Sequence, residues 1–307
     1  MPTGLLFSGQ GAQRVGMGRG FYENAPLARA LYDRADAILG WEVSALSFNG
    51  PDAQLTQTQV CQPALYVVGF AAYTLLRDRM PDADFGTALG LSLGELTALA
   101  AAEAFDFETG LRIVAERGRL MQEACEQTDG AMASLIGGLP EEVAELCAAH
   151  DIDVANLNCP GQTVISGERT QVERAVEAAR ASGAYKRVVL LNVAGAYHSR
   201  LMEPARDRFG AFLSGVEIRE PTIPVFSNTH ADRVRTPDEI RDALTRQVVS
   251  PVRWEDCMRR ASELGINAFY ECGPGGVLAG LAKRIDRTWE VRSVADPGDL
   301  PESGTDN

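Results

Sequence analysis

The sequence predicts an α/β fold interrupted by a small split βαβ unit, and two observations carry that prediction. The apolar segment Phe85-Gly86-Thr87-Ala88-Leu89 runs into Gly90-Leu91-Ser92-Leu93-Gly94-Glu95. A stretch rich in Leu, Ala and Glu follows to Ala102, so a strand meets a helix across a glycine-flanked turn. Residues 131–193 then alternate as β-α-β-β-α-β, the order of a split βαβ unit. A chain of 307 residues has room for a large core and a second unit. The expected boundaries are 1–128 and 195–295 for the large part and 129–194 for the insertion. Residues 296–307 form an acidic Pro-, Gly- and Ser-containing tail that is expected to be disordered.

Gly4-Leu5-Leu6-Phe7 is the first strand, and it opens into Ser8-Gly9-Gln10-Gly11. Arg14 occupies the third glycine position of a dinucleotide fingerprint and no G-K-[ST] follows, which excludes both phosphate-binding loops. A plain glycine turn remains open, beside a tight loop that brings backbone and the Gln10 amide close to a ligand. Helical spacing covers 25–39 and 60–80.

Ser92, between glycines at a strand-to-helix junction, has the pattern of a nucleophile elbow. A sharp turn exposes Oγ, small neighbours let the elements approach, and the helix N-terminus supplies donors to a developing oxyanion. A serine that merely caps a helix fits the same residues. Residues 107–124 form an amphipathic helix in which Leu111, Ile113, Val114, Gly118, Leu120 and Met121 share one apolar arc, with Arg117 inside it. An arginine aimed at a core needs an anion or a hydrogen-bonding network. A substrate carboxylate and a structural ion pair both satisfy that need.

Within the insertion, strands are expected at 131–136, 152–156, 163–166 and 186–193, and helices at 140–149 and 170–182. The chain has three histidines, His150, His198 and His230. His150 closes a surface helix and His230 lies in a polar turn. His198 alone occupies a loop between small residues at the return from the insertion, where a base could reach Ser92, and a purely structural histidine fits the same position. A helix begins near Leu201. A strand at 221–226, a helix at 240–249, a strand at 268–271 and a helix at 277–285 complete the large part.

Composition narrows the function class. A net charge of −13 disfavours nonspecific nucleic-acid and acidic-membrane binding. The six cysteines show no C-x-x-C spacing, which suits a reducing, cytoplasmic setting. No signal-like segment is present, nothing is expected to approach a membrane span, and no metal-ligand pattern stands out.

Taken jointly, Gly9-Gln10-Gly11, Gly90 to Glu95, Arg117-Gly118, Ala155-Asn156-Leu157-Asn158, His198-Ser199, Ser227-Asn228, Gln247 with Pro251-Val252-Arg253-Trp254, and Glu271-Cys272-Gly273-Pro274-Gly275 resemble the acyl-CoA:acyl-carrier-protein transacylase family. This family includes malonyl transferases of fatty-acid synthesis and free-standing acyltransferases that serve polyketide synthases. The resemblance spans about 7–287 and implies an α/β-hydrolase-like core with a ferredoxin-like insertion. It implies Ser92 as nucleophile, His198 as general base, and the Gln247 backbone carbonyl as the group that orients the histidine. Gln10 and the Leu93 backbone match oxyanion-hole donors, and Arg117 matches the arginine that binds a malonyl carboxylate.

No bound cofactor is implied. The resemblance implies malonyl-CoA as the donor and, as partner, an acyl carrier protein that brings its own phosphopantetheine, and the enzyme is expected to be a monomer. Two positions depart from the family pattern and face the expected substrate pocket. Leu91 replaces the usual histidine before the nucleophile, and Tyr197, in Gly195-Ala196-Tyr197, is expected to narrow the pocket beside the α-carbon, which mildly favours the smaller malonyl unit. Asp106 to Gly110, Ala155 to Asn158 and His198 to Met202 look more like the free-standing polyketide enzymes. A different acyl group from a carrier-bound donor, a carrier-protein thioester hydrolase and a non-catalytic docking module are the competing readings. Carrier docking on so acidic a chain calls for a local basic surface, with Arg169, Arg174, Arg180, Lys186, Arg187, Arg200 and Arg206 as candidates.

Overall fold

Leu5, Leu6 and Phe7 are all buried, which an apolar strand achieves only when both faces of its sheet are covered. In the computed structural model, which describes residues 2–302, that strand is β1 (Thr3–Phe7), third in a six-stranded sheet. The chain continues through α1 (Arg19–Asn24), α2 (Pro26–Leu39), α3 (Val43–Asn49), α4 (Asp52–Leu55), α5 (Thr58–Arg79), β2 (Phe85–Gly90), α6 (Leu93–Ala101) and α7 (Phe107–Gln127). The insertion holds β3 (Gly130–Gly137), α8 (Pro140–His150), β4 (Asp153–Cys159), β5 (Gln162–Glu168), α9 (Arg169–Ser182) and β6 (Tyr185–Leu190). The return holds α10 (Glu203–Leu213), β7 (Val225–Phe226), β8 (Arg233–Val234), α11 (Pro237–Gln247), α12 (Trp254–Ser262), β9 (Ala268–Cys272), α13 (Val277–Ile285) and β10 (Glu290–Val294).

The large sheet runs β10-β9-β1-β2-β7-β8, and all neighbours are parallel except the β7–β8 pair. Side-chain alternation splits its core in two. Leu5, Phe7 and Ala88 join the cluster built with α5, α6 and α7, while Leu6, Leu89 and Phe269 pack with residues of α12 and α13 on the other face. The small sheet is fully antiparallel in the order β4-β5-β3-β6, with α8 and α9 packed on it through Val143, Val172, Ala175 and Val176. That is the ferredoxin-like arrangement. Backbone bonds Val252 N–H to Ala155 O (2.9 Å) and Leu157 N–H to Val252 O (2.9 Å) seat it on the large part.

The structure departs from the sequence expectations at identifiable places. The long helix expected from 60 begins at Thr58, so Pro63 sits inside its second turn. This helix is also long and apolar enough to cross a membrane, against the expectation that nothing approaches a span. Because 72% of its apolar window is buried inside the fold, it is a core helix. The strand expected at 221–226 pairs only at Val225–Phe226, and α12 and β10 went unanticipated. The tail is ordered further than expected. Pro297–Asp299 forms a 3-10 turn closed by the Asp299 carboxylate on the Ala295 and Asp296 N–H groups. Residues 303–307 of that tail lie outside the described residues.

Parallel strands present their C-terminal ends together, and that edge is where a ligand can approach the sheet. β1 ends in the Gly9-Gln10 loop, β2 in Ser92, β7 in Ser227-Asn228 and β9 in the Gly273–Gly276 loop. The last loop is held by a buried carboxylate. Glu271 accepts from the Leu278 and Ala279 N–H groups (2.8 and 3.1 Å), so it closes the N-terminus of α13 from the neighbouring strand.

Candidate active site

Ser92 carries the strain of the β2–α6 turn, with φ 53° and ψ −107° in a conformation that L-residues rarely adopt. Its neighbours must be glycine. A Cβ on Gly90 would lie 1.8 Å from the Gly94 carbonyl carbon, and one on Gly94 would lie 2.0 Å from Phe7 O. Gly94→Ala is therefore expected to push α6 off β1 and cost about 2–4 kcal/mol, read as a lower midpoint in denaturant unfolding. A midpoint shift below about 0.5 kcal/mol would show that the elbow relaxes without cost. Helix capping, the competing role for Ser92, is not what its side chain does. The Ser92 N–H is instead taken by Asn228 Oδ1 (2.7 Å), and Asn228 Nδ2 donates to Gly90 O (2.9 Å), which pins both sides of the turn.

The freed Ser92 Oγ lies 2.8 Å from His198 Nε2, and His198 Nδ1 lies 2.8 Å from the Gln247 backbone carbonyl. A carbonyl only accepts, so Nδ1 carries the proton and the Nε2 lone pair faces the serine hydroxyl. His198 is buried and also sits at positive φ (58°), in the segment between β6 and α10. Burial, and next the Arg117 charge, push its imidazole down to about 4, against hydrogen bonds to the Gln247 and Ser250 backbone that pull upward. It is neutral at pH 7 and can receive a proton.

Arg117 lies where the apolar arc of α7 placed it, 1% exposed. Its Nη1 donates to Gln62 Oε1 (2.7 Å), and its Nη2 donates to Gln247 Oε1 (2.8 Å) and to Ser92 Oγ (3.2 Å). Burial brings the guanidinium down to about 10, so it keeps its charge at neutral pH. A buried cation with neutral partners and the reactive hydroxyl at hydrogen-bond distance can receive an anionic group beside the serine.

These groups line one cavity of about 750 Å³. Gln10 and Leu93 stand beside Ser92, and among the described residues their backbone N–H groups have no hydrogen-bond partner. The Gln10 side-chain amide is occupied, because it donates to the Tyr197 hydroxyl (3.4 Å), which also bonds Thr58 Oγ1. Tyr197 lines the cavity with its ring tied to α5, and Leu91 lines it on the side where its cluster includes Leu278 and Leu281.

The fold and this constellation recur in known proteins. Residues 5–295 match the family described as acyl transferase domain. The malonyl CoA-acyl carrier protein transacylase of Bacillus subtilis (strain 168) is 39% identical over 298 residues, covering 95% of this chain and 93% of that protein. The chain belongs to the malonyl-CoA:acyl-carrier-protein transacylase family. Another relative from Bacillus subtilis (strain 168), the polyketide biosynthesis malonyl CoA-acyl carrier protein transacylase PksC, is 40% identical and covers 93% of this chain and 98% of its own length. Among solved structures, a malonyl-transacylase in complex with a type II polyketide acyl-carrier protein superposes with a TM-score of 0.94 at 36% identity, covering 98% of both chains. The acyl-carrier-protein-S-malonyltransferase of Bartonella henselae gives 0.93 at 35%, covering 97% of both.

Within this transacylase family member, the structure redraws the basic surface expected for carrier docking. Arg200 is held by Asp151 and Asp153, Arg169 by Asp129, and Arg206 by Glu203 and Asp207, while Arg180 donates to Val188 O. Arg174, Lys186 and Arg187 carry no ion pair among the described residues. Three site residues had no role assigned from sequence. Asn228 and Glu95 stood inside quoted motifs, but Gln62 gave no signal, since one glutamine in a helical run is indistinguishable from a solvated one.

Proposed function

We propose that this chain moves a malonyl group from malonyl-CoA to the phosphopantetheine thiol of an acyl carrier protein, through an acyl-Ser92 intermediate, in polyketide assembly. The observation that carries the reading is the contact of the Arg117 guanidinium, 3.2 Å, with the Ser92 Oγ that His198 also touches. A malonyl thioester has its carboxylate one carbon beyond its reactive carbonyl, so a cation this close to the serine suits that acyl group. His198 Nε2 takes the Ser92 proton as Oγ bonds the thioester carbonyl. The backbone N–H groups of Gln10 and Leu93 receive the oxyanion, and the coenzyme A thiolate leaves with the proton from the imidazolium. The carrier thiol then gives its proton to His198 and attacks the oxyester carbonyl, and the Ser92 oxygen leaves with that proton returned from the imidazolium. Six buried free cysteines suit a cytoplasmic setting for this chemistry.

Leu91 favours a second reading, in which a less polar acyl group is used, because it presents an apolar side chain to the cavity. Intact mass after brief exposure to malonyl-CoA, methylmalonyl-CoA and acetyl-CoA separates the two. A malonyl adduct that moves to added holo-carrier protein supports transfer, and adduct lost to water supports a hydrolase. No adduct from any of the three esters would sink the malonyl assignment. Identities of 39% and 40% to the general and polyketide relatives are nearly equal, so pathway is read from which type of carrier accepts the group faster.

Both substrates share a phosphopantetheine arm, and a cation without an ion pair among the described residues is bonded to a residue of the cavity wall. Arg284 Nη1 donates to Gln162 Oε1 (2.6 Å), a cavity-lining residue, one turn beyond Leu281. Arg284→Ala is expected to raise KM for malonyl-CoA about three- to tenfold with kcat retained, as for loss of one exposed phosphate contact. An unchanged KM removes Arg284 from the donor site.

A further inference from the structure

Ser92-Leu93-Gly94-Glu95 has the spacing of a capping box, in which the glutamate would turn back to the Ser92 N–H. Asn228 has taken that N–H, and the Glu95 carboxylate points elsewhere. It is fully buried, and Oε2 accepts from the Asn228 N–H (3.0 Å) and from Gln247 Nε2 (2.6 Å). Oε1 is buried with no hydrogen-bond partner. Gln247 Nε2 also donates to Ser92 O (3.0 Å), and its Oε1 accepts from Arg117. Two acceptors on one side and a guanidinium on the other allow only this orientation of the amide. Glu95 therefore opposes the Arg117 charge through one amide.

We propose that binding of the malonyl carboxylate at Arg117 is coupled to uptake of one proton by Glu95 at its unpartnered Oε1, which makes Glu95 a positioning residue that tunes affinity for charged acyl groups. The inference rests on the reading of Arg117 given above. In the empty site one guanidinium faces one carboxylate. An incoming malonyl carboxylate makes two, and two carboxylates sharing one cation in a dry site favour protonating one of them. A proton on Oε1 leaves both bonds to Oε2 in place.

The groups that face Glu95 are few. Arg117 on α7 and the Cys257 thiol on α12 are titratable, and Gln247 and Asn228 are neutral. Burial pushes that thiol up, so it stays neutral. Burial also raises Glu95 to about 7, opposed by the Asn228 and Gln247 bonds and the Arg117 charge. The second carboxylate raises it further. Protons are then taken up on binding, and affinity falls as pH rises through the value of the empty enzyme.

Titration calorimetry of Ser92→Ala enzyme tests this, in buffers of different ionisation enthalpy, with malonyl-CoA beside coenzyme A, which lacks the carboxylate. At about pH 8, malonyl-CoA is expected to take up about half to one proton more than coenzyme A, and its Kd to be about five- to tenfold weaker than at about pH 6. Glu95→Gln, which keeps an acceptor oxygen in place, is expected to remove both differences. Equal proton uptake by the two ligands at the higher pH overturns the proposal in the Ser92→Ala protein alone, whether or not the double variant folds. Uptake that survives Glu95→Gln also overturns it. If Arg117→Ala leaves malonyl-CoA affinity unchanged, the carboxylate reading itself has failed, and this inference falls with it.

Discussion

Ser92→Ala is expected to lose the acyl adduct entirely and to slow malonyl transfer by at least about 10³-fold, with His198→Ala close behind and the double variant no slower than either. The non-additivity follows from geometry. The hydroxyl and the imidazole are 2.8 Å apart and, in the mechanism proposed above, act on one proton, so removing either leaves the other without a task. What remains in each variant is binding plus the Gln10 and Leu93 N–H groups. The histidine is oriented by a main-chain carbonyl rather than a carboxylate, so no buried anion stabilises the imidazolium directly. The Arg117 charge opposes it. A substrate that neutralises Arg117 would lift that opposition, and His198 would become a better base once malonyl-CoA is bound. Rapid-quench mass spectrometry of the acyl-enzyme measures these rates. A His198→Ala variant that acylates within about tenfold of wild type would overturn the role given to the imidazole.

Much of the scaffold was legible because its elements are long and periodic or bounded by strong punctuation. The insertion came through as β-α-β-β-α-β, since Pro160-Gly161 is a turn signal between two strands and the 3.6-residue spacing of α9 stops at Gly183 before β6. Short elements did not. The pairing of β7 spans two residues, α12 opens on Trp254 two residues after the bridged Val252, and β10 alternates charged and apolar residues at a sheet edge, as an exposed loop could. The tail is rich in turn formers, yet its Asp299 carboxylate caps the turn that orders it. In the site, Ser92, His198 and Arg117 announced themselves by being out of place: a glycine-flanked serine, an isolated histidine, a charge in an apolar arc. Glu95 did not, because a glutamate in the first turn of a helix is ordinary. Only the distant partners, Asn228 and Gln247, show that it faces inward.

Arg117→Ala is expected to invert acyl preference rather than simply inactivate. Loss of a bidentate, desolvated charge pair with the substrate carboxylate should slow acylation by malonyl-CoA about 10²–10³-fold. Acylation by acetyl-CoA makes no such pair and should hold steady or rise a few-fold, since the charge that lowers His198 is gone. Arg117→Lys is not expected to rescue the malonyl reaction. An ammonium cannot keep Gln62 and Gln247 in their present bonds while presenting two parallel donors to a carboxylate. The truncated site would also leave Glu95 buried without a cation nearby, so its carboxyl should hold a proton to higher pH and some folding stability should be lost above neutrality. Measured together, the two acylation rates distinguish a carboxylate clamp from a structural arginine. A parallel fall with malonyl-CoA and acetyl-CoA, accompanied by a lower unfolding midpoint, would mean that Arg117 holds the fold of the pocket and selects nothing.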